Sequence, residues 1–332
     1  MTHLRHSDIL KQPITTLLAT FGALLTLLTI RALGRPYATE SVEGVLSPVG
    51  VWMDSLAGPF LSAVMVLMAL LGGSVIMIRI INRYSLSVVR SFMPLVLYVI
   101  CIVGVVYPIG SPALMIALLM LTHATDKTFL SFKRHECFGE VMSASFWTAM
   151  AALLVPDLSV LLLLLPLQWA VWQRSAREMI ASVIMIPLPL LLASSLYWFG
   201  GAPFFGLVGE WSESFSGFRL ANFAELYASS GGVLNCALWG VTMVITLLSI
   251  FVFIVSYGSL RTRARKGHII FSLQFLLGVL MLLLGSRPVI ALPVIGLAAV
   301  PLIHTLFVKR KGVLNVTTYI ILVTLTIISA LL

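Results

Sequence analysis

The chain has 332 residues, 60% of them hydrophobic and only 10% charged, and its formal net charge is +9. A water-soluble domain of this length carries far more charge on its surface, so the composition excludes one and describes a chain that lipid solvates better than water. The mean hydropathy of +1.07 points the same way.

A bilayer core requires apolar helices of about 17 to 25 residues. Eleven stretches approach that length: 14–32, 59–81, 92–108, 111–124, 141–156, 158–173, 179–199, 233–257, 269–286, 288–308 and 313–332. The expected fold is therefore all-α, a polytopic transmembrane bundle of about eleven helices forming a single integral membrane domain over 1–332. The first stretch follows His3, Arg5, His6 and Lys11 as a signal peptide would. It runs on into Arg31 without a convincing small-residue cleavage site and reads as a retained helix. Later stretches are broken into tight hairpins at Pro108–Pro112, at Pro156-Asp157 and at Arg287-Pro288, since proline removes a donor and clashes with the preceding turn.

Orientation follows from the cations, which are retained on the cytoplasmic side. With the N-terminus inside, seventeen of the twenty-one Lys and Arg residues fall in inner segments, the densest being Arg261-Thr-Arg263-Ala-Arg265-Lys266. Only Arg31, Arg35, Arg219 and Arg287 lie outside, against seven acids there and five inside. The inner face then nets +12 and the outer face −3, and eleven spans place the C-terminus in the periplasm. Scattered in twos to fours, the cations form no nucleic-acid surface. Topology accounts for them, with attraction of membrane lipid headgroups as a secondary role for the Arg261 cluster.

The three cysteines, Cys101, Cys137 and Cys236, lie at different depths and lack metal-ligand spacing, so neither a disulfide framework nor a metal site is expected. No motif for a phosphate-cradling loop, a zinc protease, a serine hydrolase or a dinucleotide fold is present, and no cofactor is expected. Ionisable residues also avoid the span interiors: Arg79, Asp157, Glu178 and Arg287 map to helix ends. His304 comes nearest to an exception, and is expected to be a hydrogen-bonded packing residue. Glycines and prolines within spans, such as Gly72-Gly73, Pro187 with Pro189, and Pro293 with Pro301, are expected to serve helix packing and kinks.

Two periplasmic loops are long enough to hold structure, 33–58 and 200–232. The second spaces Trp211, Phe215, Phe218, Phe223, Leu226 and Tyr227 by three or four, as in a short helix on the membrane surface. An interfacial aromatic anchor is the leading reading, and a lid over an outward cleft the functional one.

The stretch NRYSLSVVRSFMPLVLY from Asn82 to Tyr98, the hairpin from Phe138 through Trp147 to Trp172, and the closing LPVIGLAAVPLIHTLF with its basic loop and last helix resemble an uncharacterised family of Bacteroidota integral membrane proteins, a domain of unknown function. The resemblance covers about half the chain. It implies a bacterial cytoplasmic (inner) membrane location and carries over no activity and no catalytic residues.

A separate, fold-level likeness is to polytopic glycosyltransferases that use polyprenyl-phosphate-linked sugars. In those enzymes an acid of the first outer loop serves as base or metal ligand, and outer cations hold the lipid phosphate. Glu40, Glu43 or Asp54 would then be catalytic, with Arg35, Asp157, Arg219 and Arg287 binding substrate. The first loop here is short and lacks their adjacent acid pair. Three functions are thus open: envelope biogenesis on a polyprenyl-linked saccharide at the periplasmic face, a noncatalytic subunit or scaffold with membrane-protein partners, and a channel or transporter.

Overall fold

A computed structural model describes residues 14–34, 46–56, 58–87, 89, 91–106, 111–132, 136–214, 233–284, 288–309 and 313–331. All of its regular structure is helical, with no strand among the described residues. In chain order the helices are α1 (Ile14–Gly34), α2 (Pro48–Leu56), α3 (Pro59–Arg83), α4 (Met93–Val106), α5 (Pro112–Leu130) and α6 (Phe138–Leu154). A 3-10 helix, Pro156–Leu163, leads into α7 (Leu164–Trp172), followed by α8 (Ala176–Met185), α9 (Leu188–Phe199) and α10 (Gly206–Glu213). Then come α11 (Val233–Val255), α12 (Thr262–Leu283), α13 (Pro288–Lys309) and α14 (Val313–Leu331).

Each of the eleven expected stretches holds helix, and six helical segments among the described residues are long and apolar enough to cross a membrane: Phe60–Arg83, Pro112–Leu130, Ala176–Phe199, Cys236–Val255, Thr262–Leu283 and Ile290–Lys309. The other apolar helices are shorter.

One end of the bundle gathers the starts of α3, α5 and α13 with α2 and α10; it is called the acidic end below. The opposite, basic end gathers the starts of α4, α6, α8 and α12.

Proline and serine set the boundaries. Ser111 caps α5, its hydroxyl accepting from the Leu114 N–H at 3.3 Å, while Pro112 occupies the first turn where no donor is missed. Ser175 and Glu178 close a capping box on α8. α6 stops where Val155 turns extended before Pro156, the break expected there, and the chain resumes as a 3-10 helix. The α8–α9 segment is likewise interrupted at Pro187.

α13 is the axis, for its whole apolar window is buried inside the protein. It packs against α4, α11 and α12. Close approach to α4 depends on Gly296, where an added Cβ would lie 2.4 Å from the Cys101 carbonyl oxygen. Gly73 of α3 instead leaves room for a side chain, the Tyr98 hydroxyl of α4 taking the space a Cβ would fill. The α8–α9 segment is the opposite case: only 17% of its window is buried, and Ile180, Leu196 and Phe199 are exposed in the way a lipid-facing helix requires.

Candidate functional site

Proline-156 decides what happens at the acidic end. A carbonyl four residues before a proline has no N–H to accept from, so the Ala152 oxygen is left without its helical partner. The Trp211 indole of α10 donates to it at 3.0 Å. Next along, the Leu154 oxygen accepts the Ser47 N–H at 3.0 Å, and α2 lies so close that a Cβ on Gly50 would come within 2.6 Å of that oxygen. The orphaned carbonyls of α6 thus tie down a piece of each long loop. On α10, Glu210 accepts from the Tyr197 hydroxyl at 3.0 Å. Of the residues of the expected surface helix only Trp211 is described, on α10; Phe215, Phe218, Phe223, Leu226 and Tyr227 lie outside the described residues.

Asp54, on α2, is turned toward the start of α5. One carboxylate oxygen accepts the Ser111 hydroxyl, and the other accepts the Ala113 N–H at 2.9 Å. An anion there satisfies an unpaired helix donor and faces the positive end of the macrodipole. Burial pushes the carboxyl above its usual range, while the hydrogen bonds from Ser111 and Ala113 pull it back down. Replacing Asp54 with Ala is expected to cost about 1–2 kcal/mol through loss of this cap. Thermal unfolding of the detergent-solubilised protein checks it; an unchanged midpoint would refute the cap.

Asp157 is buried in the first turn of the 3-10 helix, beside the same junction. Arg35, Glu40, Glu43, Arg219 and Arg287 lie outside the described residues. Of the candidate residues, then, Asp54 and Asp157 are placed at one end of the bundle, with Glu210 and Glu213 on α10 at that end too. Among the described residues no cluster of three or more His, Cys, Asp or Glu could hold a metal ion.

The basic end holds contacts that the sequence reading passed over. Asp126 of α5 is fully buried and pairs with Arg79 of α3, with the Tyr84 hydroxyl at 3.5 Å from its other oxygen. The Arg263 guanidinium stands over the rings of Tyr84 and Phe132, at 5.1 and 4.9 Å from their centroids. Glu178 accepts the Cys137 N–H at 2.7 Å, joining the starts of α6 and α8. His268 Nε2 lies 3.2 Å from the Leu86 carbonyl oxygen and 3.3 Å from the Thr305 hydroxyl. His304 is fully buried, as a packing residue would be, but neither ring nitrogen is hydrogen bonded, contrary to the expectation. A lone acid one turn from a helix end was the available signal for Asp126; nothing local names Arg79 as its partner, 47 residues away.

Comparison with protein-family models, with curated proteins and with solved structures finds no match. What can be said of chemistry rests on the geometry. A general base needs a lone pair aimed at its substrate's proton, and both Asp54 oxygens are aimed at α5.

Proposed function

We propose that this is a multi-pass protein of a bacterial inner membrane, spanning it about eleven times with the basic end in the cytoplasm and the acidic end in the periplasm, and that its working surface is the acidic end. The positive-inside distribution of Lys and Arg supports the orientation. The tethering of both long loops to the end of α6 supports the surface, since it turns two segments distant in sequence into one platform.

Within that frame the reading favoured is a noncatalytic subunit or scaffold of an envelope complex. The observation that carries it is Asp54: the described acid of the first loop braces a helix. The second reading is transfer from a polyprenyl-linked saccharide, now resting on Glu40 or Glu43 as base with Arg35, Asp157, Arg219 and Arg287 on the donor. Convergence of the two outer segments at Asp157 is what favours keeping it. The family resemblance to Bacteroidota membrane proteins is part of the proposal and fits either reading.

The two are separated in cells. Alanine at Glu40 and at Glu43, each at normal protein level, is expected to leave the envelope phenotype of the wild type intact under the scaffold reading. Loss of function in one of them, with a polyprenyl-linked intermediate accumulating in lipid extracts, would instead establish the transferase.

A further inference from the structure

The basic end is floored with aromatic rings. Tyr84 stacks on Phe129 with 5.3 Å between centroids, Phe129 meets the Trp172 edge at 5.4 Å, and Trp172 meets Phe132 at 4.6 Å. The floor joins the ends of α3, α5 and α7. The start of α12 lies on it: Arg263 stands over Tyr84 and Phe132, and one turn on, a Cβ at Gly267 would meet the Phe129 ring at 2.9 Å.

Three cations crowd this floor without an acid. The Arg83 guanidinium is 5.9 Å from the Tyr84 centroid, so it shares that ring with Arg263. Arg263 feels the charge of Arg83, and Lys266, one turn further along α12, feels that of Arg174. Among the described residues, none of Arg83, Arg263 and Lys266 pairs with an acid. The two acids that touch this neighbourhood are engaged elsewhere, Asp126 with Arg79, and Glu178 with Arg174 and the N–H groups of Cys137 and Ser175.

The positive-inside rule accounts for cations left in water, and these are drawn inward. Arg263 Nε and Trp172 Nε1 are shut off from solvent and have no acceptor, and both side chains lie against Phe132. A buried donor ordinarily has a partner. The first turn of α12 adds unanswered N–H groups, for Arg261 provides no side-chain cap and no acid follows it there. Arginine, lysine and tryptophan side chains donate and cannot accept. Water would find no side-chain acceptor for its protons among them, and a metal cation would be repelled; an anion answers every one of these groups.

The surroundings specify a lipid as the source of that anion. α8 begins two residues beyond Arg174 and turns Ile180, Val183 and Ile184 outward, giving acyl chains a surface to follow. Basic pockets between transmembrane helices are known to take anionic headgroups.

We propose that Arg83, Arg263 and Lys266, with the Trp172 indole, form a binding site for the phosphate of one anionic phospholipid whose acyl chains run along α8. The site is narrower than a general attraction of the Arg261 cluster for headgroups. Arg265 is committed to the Leu260 carbonyl at 2.7 Å and to the Tyr257 ring, and Arg261 is exposed, so neither belongs to it. The inference rests on the multi-pass reading and on neither reading of the acidic end.

The test is thermal unfolding of the full-length protein, purified in an uncharged detergent, with added phosphatidylglycerol, phosphatidylcholine or inorganic phosphate. Saturable stabilisation by phosphatidylglycerol is expected, with none from phosphatidylcholine and little from phosphate. In the Arg83→Gln, Arg263→Gln double variant the half-saturating lipid concentration should rise at least about tenfold. The Arg261→Gln, Arg265→Gln double variant removes the same charge and should stay near wild type. Lys266→Gln, at a half-buried position away from the rings, serves even where the first double variant does not fold. Equal losses in the two double variants would overturn the proposal in favour of diffuse attraction, and so would equal effects of the two lipids. Phosphate as effective as phosphatidylglycerol would overturn the lipid as ligand. Resistance of the protein to carbonate extraction from membranes tests the multi-pass reading separately.

Discussion

Replacing Gly296 with Ala is expected to destabilise the bundle by more than about 3 kcal/mol, the range of overpacking that rigid surroundings do not relieve. The new Cβ would meet the Cys101 oxygen at 2.4 Å and its carbonyl carbon at 3.0 Å. Both are backbone atoms of α4, so relief requires α13 and α4 to move apart. α13 is buried over its whole window, and separating it from α4 disturbs its packing on α11 and α12 as well. Gly240 of α11 provides the control: nothing lies within 4 Å of its would-be Cβ, and alanine there should gain about 0.5–1 kcal/mol of helix propensity. Size-exclusion profiles and unfolding midpoints of the two variants check the contrast, and similar behaviour of both would refute the close α4–α13 contact.

Replacing Arg79 with Leu is expected to cost about 3 kcal/mol, because it strands a carboxylate that is fully buried. The low end of the range for broken buried pairs applies, since the Arg79 side chain is 45% exposed and water reaches that side of the pair. The Tyr84 hydroxyl, at 3.5 Å, is too distant to replace the lost cation. Adding Asp126→Leu should recover most of the loss, because a well-packed apolar pair avoids the desolvation that the lone acid suffers. A double-mutant cycle on unfolding midpoints measures the coupling; additive losses would show that the two side chains do not act as a pair.

The same pair explains where sequence reading and structure part company. An end for the fourth span at residue 124 follows from taking Asp126 and Lys127 as loop residues, yet α5 continues to Leu130 because Asp126 is neutralised across the bundle by Arg79. Boundaries set by local chemistry were legible: Pro156 stops α6, Pro187 interrupts the α8–α9 segment, and Pro112 opens α5. Gly73 was legible as a packing residue, though Tyr98 as its neighbour was not.

At the candidate site the limit was range. Asp54 stood out as an outer acid, but its role depends on Ser111 and Ala113, 57 and 59 residues further on, and no periodicity connects them. Trp211 is expected from its spacing in an interfacial anchor, and the carbonyl freed by Pro156 that its indole answers is a partner that spacing does not name.

Cysteine labelling tests most directly whether the basic end faces the cytoplasm. In a version without its native cysteines, Ser212→Cys reports on α10 at the acidic end and Gly258→Cys on the segment before α12 at the basic end, both at exposed positions. A membrane-impermeant maleimide applied to intact spheroplasts should label Ser212→Cys at once and Gly258→Cys only after permeabilisation. Labelling of Gly258→Cys in intact spheroplasts, with Ser212→Cys protected, would contradict the orientation and the periplasmic working surface with it.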